Sequence, residues 1–178
     1  EAVWVQQLKK TAPTIHCLTN PVSMQDVANV LLAAGGSAIM GQDKTEVQEI
    51  TAHCQATLLN LGVPDETKLC SGALAGMKAN ELGHPVVLDP VGVGASIFRR
   101  KAVELVLKRV NPSLIRCNQG EAYALLDLKN ESFGGVESSV ELETEAQLNL
   151  SDLLARVYRC TAMVSGKADA VSDGERRT

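Results

Sequence analysis

Pro85-Val86-Val87-Leu88-Asp89-Pro90-Val91-Gly92-Val93-Gly94 decides the fold. The apolar run reads as a short strand, and the Asp-Pro pair ends it. Pro90 holds Asp89 extended and cannot continue a ladder. Gly92 and Gly94 allow a positive φ, or close approach of the backbone to a ligand.

The same grammar recurs on either side. Strands are expected at Thr14–Leu18, Ser37–Met40, Thr57–Leu61, Pro85–Leu88, Ser113–Arg116 and Ala162–Val164. Helices are expected near Ser23–Ala34, Thr45–Cys54, Asp65–Leu82, Phe98–Val110, Gln119–Leu128 and Glu143–Arg159. Val27, Val30, Leu31 and Ala34 are spaced for one helix face behind Ser23, and Gly35-Gly36 ends that helix. Asp65 caps the next helix and Gly83 closes it before Pro85. Strands alternating with helices give a mostly parallel α/β sheet with right-handed crossovers and helices on both faces. Residues 1–178 are expected to form a single domain. Lys129–Asn149 reads as a solvated loop leading into an acidic first helical turn.

In such a sheet, ligands bind beyond the carboxyl ends of the strands. Those ends deliver Thr19-Asn20, Met40-Gly41, Asn60-Leu61-Gly62, Asp89, Asn118-Gln119-Gly120-Glu121 and Ser165-Gly166-Lys167. Asn or Asp at four of six ends exceeds what turns require. Asp89 reads as a plain Asp-Pro turn or as a carboxylate placed for magnesium or its waters. Asn118 and Glu121 read as an N-cap and its N3 partner, or as a metal-facing glutamate on that turn. Arg116 ends an apolar strand, a costly place for a guanidinium unless it meets an anion or faces a cleft. No third glycine completes a dinucleotide fingerprint, and no P-loop occurs. His16, inside a strand, reads as a satisfied core histidine, and His53 and His84 as surface or helix-end residues.

Composition narrows the function. The net charge of −4 disfavours binding nucleic acid through bulk electrostatics, and five aromatic residues leave few stacking platforms for bases. No apolar run approaches the ~18 residues of a membrane span. Cys17, Cys54, Cys70, Cys117 and Cys160 are odd in number and widely spaced, with no C-x-x-C pair. They read as reduced thiols of a cytoplasmic protein, mostly buried, with Cys17 and Cys117 close enough to strand tips to raise the question of reactivity.

His16-Cys17-Leu18-Thr19-Asn20, Met40, Asn60-Leu61-Gly62, Asp89 to Gly94, Arg116 to Glu121, and Ser165-Gly166-Lys167-Ala168-Asp169 follow one another as in hydroxyethylthiazole kinase. The chain resembles that family of the ribokinase-like superfamily from about Pro13 to Thr178. The resemblance implies a three-layer ribokinase-like fold and ATP-dependent, magnesium-requiring phosphorylation of 4-methyl-5-(2-hydroxyethyl)thiazole in thiamin salvage by a homotrimer. It implies thiazole contacts at Asn20 and Met40 (the latter through its backbone), ATP contacts at Arg116 and Ser165, and metal contacts at Glu121 and Asp89. Ser165 stands where Thr is usual and Cys117 where Gly is usual. The family's glycine-rich anion hole, with its catalytic cysteine, is expected beyond Thr178, so the chain looks like the family's N-terminal part. A non-catalytic binding domain of this fold and another ribokinase-like small-molecule kinase are the alternative readings.

Overall fold

The computed structural model describes residues 2–129 and 143–178. Helix α1 (Ala2–Thr11) precedes β1 (Thr14–Leu18), α2 (Met24–Ala34), β2 (Ser37–Ile39), α3 (Val47–His53), β3 (Ala56–Asn60) and α4 (Glu66–Glu81). Then come β4 (Val86–Asp89), α5 (Ile97–Leu107), β5 (Leu114–Asn118), α6 (Gln119–Asp127), α7 (Thr144–Tyr158), β6 (Thr161–Ser165) and β7 (Ala170–Ser172). One seven-stranded sheet has the order β2-β1-β3-β4-β5-β6-β7. Every neighbouring pair is parallel except β6 and β7.

Strand order and handedness together assign the helices to faces. Only the step from β1 to β2 runs one way across the sheet; the later crossovers run the other way. Right-handed crossovers then put α2 on one face and α3 to α7 on the opposite one. The second face is the core. It carries the register row Leu18, Leu59, Leu88, Ile115 and Ala162, with the pair Cys117 and Val164 one step on, all buried. Helix α4 approaches it closely through glycines, since a Cβ on Gly76 would lie 2.6 Å from Val110 and 3.2 Å from Leu59. The α2 face is more open. Ile15, Leu58 and Val87 line a cavity of about 430 Å³ there with Val27, Val30 and Leu31 of α2. The helix face expected from sequence exists, but Val30 remains 67% exposed.

Several local expectations hold for their stated reasons. Gly35 closes α2 at φ 99° and Gly83 follows α4 at φ 70°. Asp65 caps α4 by accepting from the Lys68 N–H at 2.8 Å. Ser23 does not cap α2 with its side chain. The Asn20 side chain instead holds the turn before the helix, accepting from the Val22 and Ser23 N–H groups at 3.1 and 3.2 Å. Gly92 has the positive φ expected of it, at 66°, whereas Gly94 does not; a Cβ there would meet Ala124 at 3.3 Å. Two elements were not anticipated. Helix α1 leaves Val3 and Trp4 70% and 75% exposed, so no buried face announces it. Strand β7 is only three residues long. The loop read over Lys129–Asn149 falls mostly outside the described residues, and α7 begins at Thr144. Among the described residues, no helix is long and apolar enough to cross a membrane.

Candidate active site

The strand order reverses between β1 and β3, and a parallel sheet opens a crevice at such a point. A line of side chains starts there. Asn20, just past β1, donates from Nδ2 to Asn60 Oδ1 at 2.9 Å. Asn60, the last residue of β3, donates from Nδ2 to Asp89 Oδ2 at 2.9 Å. Asn60 and Asp89 are register partners on β3 and β4, so pairing sets their side chains side by side. Asp89 Oδ1 is buried and has no hydrogen-bond partner among the described residues. Burial raises the Asp89 pKa above the ordinary carboxylate range; nearby Arg116 opposes this, nearby Glu121 adds to it, and the bond from Asn60 lowers it.

Glu121 is 8% exposed and closes the next tip. Its Oε2 accepts from the Asn118 N–H at 2.9 Å, while Asn118 Oδ1 accepts from the Glu121 N–H at 2.9 Å. The capping box at the start of α6 is therefore complete. Glu121 Oε1 also accepts from the Gly92 N–H at 2.8 Å, tying the Asp89–Gly94 loop to α6. The cap reading of Glu121 holds, and one lone pair on each carboxylate oxygen remains for another partner.

The other expected site residues lie on the same edge. Met40 follows β2 and is half-buried. The loop after it is pinned twice. His16 Nε2 donates to the Gly41 carbonyl at 2.8 Å, and Gln42 Nε2 donates to the Thr19 carbonyl at 3.1 Å. Nδ1 of His16 lies 2.8 Å from the Thr51 hydroxyl, so this histidine is fully buried and satisfied at both nitrogens. Burial lowers its pKa below the usual histidine value.

Strand alternation puts Asn60, Asp89, Arg116, Asn118 and Ser165 on one face, the one α2 shares. Arg116 is exposed there, and no hydrogen bond to a described residue holds it. Ser165 donates to the Cys117 carbonyl at 3.3 Å. The thiols near the tips are buried: burial pushes Cys17 up to about 11 and drives Cys117 higher still, which makes both poor nucleophiles. Among the described residues, no three His, Cys, Asp or Glu side chains gather into a metal cage. Two carboxylates at one edge suit a cation that keeps waters and shares phosphate oxygens.

Arg99 was not anticipated. From the first turn of α5, its Nη1 donates to the Val91 carbonyl at 3.0 Å and its Nη2 to the Gly62 carbonyl at 2.9 Å. One guanidinium thus joins the loops after β3 and β4. Arginines in a helix's first turn oppose the macrodipole, and that mismatch was the available signal.

A family model described as the hydroxyethylthiazole kinase family matches residues 5–178. The chain belongs to this family. A hydroxyethylthiazole kinase from Lysinibacillus sphaericus (strain C3-41) is 41% identical over 172 residues, covering 95% of this chain and 65% of the relative. The solved structure of the hydroxyethylthiazole kinase from Pyrococcus horikoshii OT3 superposes with a TM-score of 0.87 at 34% identity, covering 97% of this chain and 63% of that one. An adenosine kinase from Schistosoma mansoni superposes with a TM-score of 0.53 at 11% identity, a likeness of fold alone. The mostly parallel α/β sheet expected from the strand grammar, and the ribokinase-like fold implied by the resemblance, are the ones observed. The chain spans just under two thirds of the length of the hydroxyethylthiazole kinases it matches.

Proposed function

We propose that the protein moves the γ-phosphoryl group of ATP onto the hydroxyethyl oxygen of 4-methyl-5-(2-hydroxyethyl)thiazole, releasing ADP and the hydroxyl proton, in thiamin salvage. The observation that carries this reading is the polar line Asn20–Asn60–Asp89 beside Glu121, on the carboxyl edge of a sheet in a chain of this family. Asn20 and the Met40 backbone hold the thiazole. Asn20 Oδ1 is occupied by two backbone N–H groups, so the side chain offers the substrate a donor. Arg116 and Ser165 face ATP. An exposed guanidinium with no hydrogen bond to a described residue is suited to phosphate oxygens, which it binds through a planar fork of donors.

Asp89 and Glu121 hold Mg2+. The buried, unpartnered Asp89 Oδ1 fits a cation, and Glu121 retains a lone pair on each oxygen. The ion, when bound, offsets charge on the transferring phosphoryl group. The chain's own residues fix the alcohol, neutralise phosphate and keep the two loops together through Arg99. The working form is a cytoplasmic homotrimer.

The test is turnover by the protein at its full encoded length. With ATP, Mg2+ and the thiazole alcohol, mass spectrometry should detect the thiazole monophosphate, with ADP formed in equal amount. Binding of the alcohol without any phosphate ester would replace the kinase by a binding domain. Neither binding nor ester would overturn the reading altogether.

A further inference from the structure

Asn60 touches neither substrate in the proposed chemistry, yet the side-chain line from Asn20 to Asp89 passes through it. Its Oδ1 accepts twice, from Asn20 Nδ2 and from the Gly62 N–H, each at 2.9 Å. Its Nδ2 donates to Asp89 Oδ2 at 2.9 Å. The direction of this line is fixed at both ends. Two backbone N–H groups point at Asn20 Oδ1, so Asn20 must present its NH2 to Asn60. A carboxylate can only accept, so Asn60 must present its NH2 to Asp89. Neither amide can flip without setting donor against donor or acceptor against acceptor. The line ends in two free valences: a hydrogen on Asn20 Nδ2 and the unpartnered Asp89 Oδ1.

Gly62 is part of the same device. A Cβ at this position would come within 2.7 Å of Asn20 Nδ2 and 2.9 Å of Asn60 Oδ1. Only a glycine lets both amides meet the loop that follows β3.

We infer that Asn60 is a positioning residue that holds Asn20 and Asp89 in one fixed relation, so that alcohol binding and phosphoryl transfer share a single rigid frame with Gly62 as its necessary gap. The inference rests on the function proposed above. It makes the two ends of the frame separable by mutation. Asn60→Asp keeps an acceptor for Asn20 and Gly62, but sets a carboxylate oxygen against Asp89 Oδ2 where a donor stood. Gly62→Ala crowds Asn20 Nδ2 and Asn60 Oδ1, the contact between the two amides, and removes no donor from the bond of Asn60 to Asp89.

The experiment measures, on the full-length protein, kcat with saturating ATP and Mg2+, the calorimetric Kd for the thiazole alcohol, and the melting temperature. Asn60→Asp should lower kcat about 100-fold while the alcohol Kd stays within about threefold, because a donor aimed at a charged group is lost at one end only. Gly62→Ala should raise the alcohol Kd about tenfold, the effect of one displaced hydrogen bond, with a smaller change in kcat. Asn60→Ser, too short to reach both partners, should do both, and it serves as the probe if Asn60→Asp does not fold. A merely structural Asn60 would lower the melting temperature and move kcat and Kd in the same proportion in every variant. That result, or unchanged kinetics, overturns the positioning role while leaving the kinase reading in place. A wild-type protein that neither binds nor phosphorylates the alcohol overturns both.

Discussion

The tips of β1, β3 and β4 and the tips of β5 and β6 lie on one sheet edge but are built in opposite ways. On the first side almost every polar group is already engaged. Asn20, Asn60 and Asp89 bond in line, His16 and Gln42 pin the loop after Met40, and Arg99 joins the two following loops. On the second side Arg116 stands exposed without a hydrogen bond to a described residue, and Ser165 makes one long bond of 3.3 Å. On the proposed function the first side takes a small, nearly apolar alcohol, which carries little binding energy, so its site gains most from being formed in advance. A triphosphate brings its own charge and can order an arginine on arrival. Glu121 joins the two sides, bonding Gly92 on one and Asn118 on the other.

If this contrast is right, residues on the open side serve function with little stake in stability. Arg116→Ala should lower turnover at least about 100-fold, as loss of a group that stabilises transition-state charge does. Its loss of stability in urea should stay below about 1 kcal/mol, since an exposed side chain that reaches Asp89 only through its charge is replaced. A large loss of stability would erase the contrast. The joining residue should show both effects. Glu121→Ala leaves two backbone N–H groups without their acceptor and should cost about 2 kcal/mol in urea denaturation, with Glu121→Gln costing roughly half because one acceptor oxygen survives. Turnover of Glu121→Ala should fall further at limiting Mg2+. Unchanged activity there would leave the glutamate only its capping role.

The smallest effect concerns pH on the preformed side. Burial lowers the His16 pKa below 6.5, against the opposing influence of its bond to Gly41 and of nearby Glu46. The folded state therefore binds the proton less readily than the unfolded chain. The stability this gives is whole above pH 6.5 and is lost as pH falls from 6.5 towards the lowered folded value. Denaturation at pH 7.5 and 5.5 should show a larger drop for wild type than for His16→Gln. Equal drops would mean that His16 does not hold the Met40 loop in its neutral form.

Most of the sheet was legible because its signals are local. Short β-branched runs, the Asp65 cap and the glycines at 35 and 83 each act through neighbouring residues. Five of the six expected strands end one or two residues away from those observed, as frayed ends do. Helix α1 was not legible because its apolar residues stay exposed, and β7 because three residues carry no period. In the site, the residue types were readable and their wiring was not. Asn60 was visible as a strand end, but its bonds to Asn20 and Asp89 span 40 and 29 positions and follow only from the order of β1, β3 and β4. Arg99 holds carbonyls 37 and 8 positions away, a role no spacing encodes. The Glu121 cap was readable because its partner Asn118 is three residues away; its second bond, to Gly92, was not.

The most direct test of the account locates the alcohol. Amide nitrogen–proton spectra should be followed as 4-methyl-5-(2-hydroxyethyl)thiazole is titrated into the protein without nucleotide. The account predicts the largest shifts at the Asn20 side chain and the Met40 and Gly41 backbone, carried on to the Asn60 side chain, with Arg116 and Ser165 nearly still until an ATP analogue is added. Shifts gathered instead around Val27, Val30 and Leu58 in the open cavity under α2, with the strand tips silent, would contradict it.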